Sequence, residues 1–132
     1  MSLPTDIRPV SSTLYFLPVH TRMPLKFGGE TVTYVTCARC CVRVADRDGR
    51  TAQGWGETPL SVTWVWPSTL GYEERHEAMK SFCETLAAAW AGFEMFGHPM
   101  EVGQSFIDDI LPGLLEQHCQ TGHSYGFHPV RS

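Results

Sequence analysis

Basic charge is scarce in this sequence. Ten Lys and Arg residues stand against fourteen Asp and Glu, for a net charge of −4 at pH 7 and a pI of about 5.8. No cluster of cations forms the electrostatic footprint that a nucleic acid needs, so nucleic acid is excluded as an expected partner. Long apolar runs are missing as well, and nothing approaches the ~20 residues of a membrane-spanning helix, so no membrane is expected. The start, "MSLPTDIRPV", lacks the basic head and apolar middle of a secretory signal, which points to a cytoplasmic protein with reduced thiols. Five cysteines, an odd number, argue against a simple disulfide framework. Two motifs of catalysis are absent: there is no G-x-S-x-G nucleophile elbow, and the Gly pair in "FGGE" lacks the Lys and Ser/Thr of a phosphate loop.

What the chain has is a composition suited to one globular domain: 132 residues, 42% hydrophobic and 18% charged. "STLYFLPVHT" (12–21) reads as a first strand. "RMPLKFGGE" (22–30) reads as a loop, because Pro24 and the Gly28-Gly29 pair are breakers. "TVTYVTCARCCVRVA" (31–45) alternates with period two: Val32, Tyr34, Cys40, Val42 and Val44 on one side, Thr33, Arg39 and Arg43 on the other. Cys40, Val42 and Val44 should therefore face the helices. Asp48-Gly49 is a hairpin signal, and 50–57 returns as a third strand. The period then changes. Met79, Phe82, Cys83, Leu86, Trp90 and Phe93 recur at helical spacing, with Glu73, Glu74 and Glu77 in the first turns and Gly92 or Gly97 as the stop. A second helical pattern over 98–119 places Val102, Phe106, Ile107, Ile110 and Leu111 on one face. Pro112 predicts a kink there, or a break into a short third helix. The expected fold class is α+β: a three-stranded antiparallel meander followed by two to three helices.

The "CARCC" thiols (Cys37, Cys40, Cys41) do not suit a zinc ion. On a strand Cys40 points away from Cys37 and Cys41, and those two stand roughly 13 Å apart. His118, Cys119, His123 and His128 in the tail offer four possible metal ligands without paired spacing, and a disordered tail is the simpler reading. Cys83 reads as core. His76, between Arg75 and Glu77, reads as part of a solvated face. No catalytic residue and no metal ligand is assigned.

Four pieces occur in order: "MPLKFGGETVTYVTCARCCVRVADRDGRTAQGWGETPLS", then "TWVWPS", "YEERHEAM" opening a helix, and "GHPMEVG" opening the next. Over about residues 7–117 the chain resembles the N-terminal capping domain of the enolase superfamily, in its mandelate racemase/muconate lactonizing branch. The resemblance implies a cap that does no chemistry itself. A (β/α)₈ barrel holds Mg²⁺ on carboxylates and takes a proton with a Lys or His, while two cap loops close over the barrel mouth and select a carboxylate substrate. By position these loops correspond to His20–Gly29 (with Met23, Lys26, Phe27 and Gly28) and to Thr58–Pro67 (with Leu60, Trp64 and Trp66), Glu57 standing just before the second. Trp64 and Trp66 would face the substrate cavity or barrel rim, or else pack on the cap's own helices.

A barrel takes about 250 residues, and only 118–132 remain here. With Lys26 and Lys80 as the only lysines, the family's Lys-x-Lys pair has no counterpart. The expectation is a cap without its barrel, a truncated or stand-alone remnant with an unmatched tail at 118–132. No cofactor is expected in the chain, since Mg²⁺ would belong to the barrel, and a separate barrel polypeptide is a conceivable partner. Leu60, Val62, Trp64, Trp66 and Phe27 would be left bare, so a homo-oligomer paired through 58–67 is expected. Two alternatives stand beside this reading: a binding module for a small ligand or a protein, and a small metal-dependent enzyme using the tail histidines.

Overall fold

A computed structural model describes residues 2–27, 30–62 and 71–121. Three antiparallel strands, β1 (Ile7–Phe27), β2 (Glu30–Asp46) and β3 (Thr51–Pro59), form one sheet in the order β1-β2-β3. Helix α1 (Tyr72–Ala91) follows, then the short α2 (Pro99–Ser105), a π-helical turn at Phe106–Ile110, and α3 (Leu111–Thr121). The protein is α+β, a meander followed by helices. Among the described residues no helix is long and apolar enough to cross a membrane.

The alternation of β2 sets the faces. Ser12 pairs with Val42, Leu14 with Cys40 and Phe16 with Ala38. This is the helix side: the Ser12 hydroxyl donates to the carbonyl of Ala87, and the Lys80 ammonium lies 5.5 Å from the Phe16 ring centroid. The odd residues point the other way. There Arg39 binds Glu57 through Nε and Nη2, each 2.8 Å from Oε2. Tyr15 stacks on Trp55 at 6.0 Å on that same open face, and Trp55 is 62% exposed. The cysteines follow suit, Cys37 beside Glu57 and Cys40 near Cys83, all free. Burial pushes the Cys37, Cys40 and Cys83 thiols up, which makes them poor thiolates.

The β2–β3 turn is built on Asp46. Its carboxylate accepts the backbone N–H groups of Asp48 and Arg50, both at 2.9 Å, and Arg50 Nε at 2.8 Å. Gly49 takes the left-handed conformation, φ 83°, that the turn requires. Desolvation pulls the Asp46 carboxyl upward, but the bonds from Arg50 and Asp48 outweigh it and hold it below its ordinary value. A carboxyl lowered in the folded state stabilises the fold above its unfolded value, about 4, and loses that contribution as pH falls. Asp46→Asn should therefore be less stable than wild type at neutral pH. The difference in urea midpoint should shrink as pH drops below about 4. A difference that is constant with pH would refute this role.

The helices close over one face. Gly92 ends α1, as its position in the pattern suggests, and its N–H reaches the carbonyl of Ala88 at 3.2 Å. Ile7 and Gly97 exchange backbone bonds of 2.8 and 3.0 Å, tying the segment after α1 to the start of β1. His98 caps α2, its Nδ1 accepting the N–H of Met100 at 3.2 Å, with Pro99 at the first helical position. Val102 is fully enclosed, and Trp90, Phe93 and Phe106 pack ring against ring at 5.3–6.2 Å. The irregularity expected at Pro112 takes the form of the wide π turn just before it. Pro112 has no N–H to offer the carbonyl four residues back, so the ladder cannot run through.

Two sequence expectations need correction here. Residues 22–27 are not a loop, because β1 continues through them to Phe27. And Ile107 does not share the buried face of Val102 and Phe106: it is 53% exposed, since the π turn shifts the helical phase.

Candidate functional site

β3 pairs with β2 only from Cys37 to Ala45. Beyond that point Pro18–Phe27 and Glu30–Thr36 continue as a two-stranded ribbon. Its β1 strand carries a bulge: four residues, Thr21 to Pro24, stand opposite Thr33 alone, between the pairs His20–Tyr34 and Leu25–Val32. Pro24 cannot donate to a ladder, and an edge-strand bulge is where a sheet tolerates it. Val19, Met23, Leu25 and Tyr34 are all exposed on the ribbon, Met23 by 74%.

At the base of the ribbon the chain leaving β3 crosses back. The Leu60 N–H donates to the carbonyl of Thr36 at 2.8 Å. Leu60 and Val62 are buried, with 4% and 1% of their surface exposed. This corrects the expectation of a bare 58–67 surface at Leu60 and Val62, for both apolar side chains serve the protein's own core; Trp64 and Trp66 lie outside the described residues.

The first turn of α1 adjoins this base on the helix side. The rings of His20 and Tyr34 lie 5.2 Å apart, and Tyr72 stacks on His76 at 5.6 Å. Burial raises the Tyr72 phenol, reinforced by the nearby Glu73 and Tyr34 and opposed by Arg75, so the two tyrosines feel one another. Arg75 and His76 are buried. The solvated face expected for His76 is thus corrected; its charged flanks turn to other sides of the helix. One ligand atom from each of Glu73, His76 and Glu77 gathers within 4.8 Å, and among the described residues no other such group of three is present. Lys80 Nζ sits 3.1 Å from Glu77 Oε1.

The structure thus sorts the residues singled out from sequence. His20 stands at the ribbon base near Tyr34, and Met23 and Lys26 lie exposed along the ribbon. Phe27 is the last residue of β1. Glu57 does not belong with them: it lies on β3, held by Arg39 on the opposite face of the sheet. Gly28, Gly29, Trp64 and Trp66 lie outside the described residues, as do His123 and His128. His118 packs on Phe82 at 4.9 Å, and its imidazole is pushed down by desolvation. Sequence reasoning missed Tyr72, His76 and the two glutamates beside it. Their signal is the i, i+3, i+4 spacing of Glu73, His76 and Glu77, which puts three possible ligands on one helical face.

A separate cleft of about 450 Å³ lies between Ile7, Val44, Ala52 and Pro99. It is at the far end of β2, ten residues and roughly 33 Å of strand from Tyr34. No family model matches this chain, and no curated protein or solved structure does either.

Proposed function

We propose that the chain is a non-catalytic capping module, a stand-alone or truncated counterpart of the cap in mandelate racemase/muconate lactonizing enzymes. The ribbon and the crossing segment after β3 close over a carboxylate-binding site carried by another polypeptide, with Mg²⁺ on that partner. The observation that supports this most is the ribbon itself. It extends beyond the three-stranded sheet and exposes Val19, Met23, Leu25 and Tyr34. A two-stranded ribbon is marginal alone, and a solid surface under it adds the packing it lacks. The order of strands before helices, and the meeting of ribbon, crossing segment and α1 at one end, support the same reading.

In isolation the exposed ribbon should find cover in a second copy, in place of the contact through 58–67, from which the burial of Leu60 and Val62 takes two apolar groups. The expected result is a solution mass above the 14.8 kDa of one chain. Met23→Ser/Leu25→Ser should return it to the monomer with an unchanged circular dichroism spectrum. Light scattering decides: a monomeric wild type, or a variant that stays associated, defeats the proposed use of the ribbon.

A further inference from the structure

A buried imidazole with an unsatisfied nitrogen is costly, because the group has left water without gaining a partner. His76 is such a residue. It is 7% exposed, and among the described residues its Nε2 has no hydrogen-bond partner. The same imidazole presents a ring nitrogen within 4.8 Å of carboxylate oxygens from Glu73 and Glu77. Both glutamates are solvent-exposed and stand one turn apart on α1.

We propose that Glu73, His76 and Glu77 form a binding site for a divalent first-row transition-metal ion, with Zn²⁺ as its probe. The donor set carries the choice of ion. Two carboxylates supply the two negative charges that balance a dication, and a neutral imidazole favours a borderline ion such as Zn²⁺ over Ca²⁺ or Mg²⁺, which take oxygen shells. Three ligands on one face of one helix leave the remaining positions to water. The helix N-terminus itself repels a cation, so the carboxylates must offset both that field and their neighbours. Those neighbours are Arg75, Tyr72 and Lys80. Lys80 is the direct competitor for Glu77; the same ammonium also lies over the Phe16 ring, a contact it keeps when the carboxylate turns to an ion. Tyr72, stacked on His76, restrains the imidazole plane. This site goes beyond the capping role and does not depend on it.

The test is calorimetric titration of the full chain with Zn²⁺. The tail must be separated from the helix, so the reference protein carries Cys119→Ser, His123→Ala and His128→Ala. One Zn²⁺ per chain should bind both this reference and the wild type. Glu73→Gln/Glu77→Gln in the reference should weaken binding at least tenfold with the fold intact by circular dichroism. Glu74→Gln, which removes the same kind of charge just outside the cluster, should leave it unchanged. His76→Ala should weaken binding too, and the exposed glutamate pair keeps the test decisive if that variant does not fold. Three results overturn the proposal: no saturable binding in the reference protein, binding indifferent to the glutamate pair, or equal losses from Glu74→Gln and the pair.

Discussion

Val62→Asp should abolish cooperative folding. Val62 is 1% exposed, and it sits where the chain leaves the sheet, two residues after Leu60 seals against Thr36. A carboxylate there would be out of water, and a charge buried without a partner costs several kcal/mol even after the surroundings relax. Domains of this size hold only about 5–15 kcal/mol in total. Leu60→Ala is the milder companion: it deletes buried methyl groups and should cost about 2–5 kcal/mol while leaving a folded protein. Thermal melts followed by circular dichroism suffice to read both. If Val62→Asp melted cooperatively near the wild-type temperature, residues 60–62 would be an open segment, and the bare apolar surface expected from sequence would stand after all.

Much of the fold is legible because its signals are local. Period-two alternation over 31–45 marks β2 and its faces, and the alternation places Cys40 toward Cys83 and Arg39 toward Glu57 as found. Asp48-Gly49 marks the turn, and the 3.6-residue spacing from Met79 to Phe93 marks α1, which ends at Gly92. The misses share a different cause. Pro24 reads as a breaker only if its strand needs every donor, and β1 is an edge strand with a bulge at that point. Glu57 ends the stretch that reads as the third strand and groups by position with the capping loop that follows it, but its partner Arg39 lies eighteen residues away on the neighbouring strand. His76 looks solvated because charges flank it in sequence. Each helical step turns 100°, however, so its burial is decided by Tyr72 one turn back rather than by Glu77 beside it. The candidate residues divide in the same way. His20, Met23 and Lys26 could be placed by order along the chain, whereas the Glu73–His76–Glu77 group needed the helix register to be taken at the level of single side chains.

Phe106→Ala should cost about 3–5 kcal/mol. The ring is nearly enclosed and meets both Trp90 and Phe93 edge-on, at 5.3 Å and 5.5 Å with interplanar angles of 74° and 71°. That geometry sets the positive edge of one ring against the negative face of another, which adds to simple burial. The position matters as much as the contacts. Phe106 opens the π turn, directly after α2, and its ring meets Trp90 of α1 where the helical phase shifts. The next residue is the natural control. A regular α-helix would put Ile107 on the same buried flank, but the π turn leaves it 53% exposed. Ile107→Ala should then change stability by no more than about 0.5 kcal/mol, as exposed substitutions do. Urea denaturation of the two variants measures both values under one condition. Losses of similar size would mean that Ile107 is packed as the unbroken sequence pattern demands, and the wide turn ahead of Pro112 would have to be abandoned.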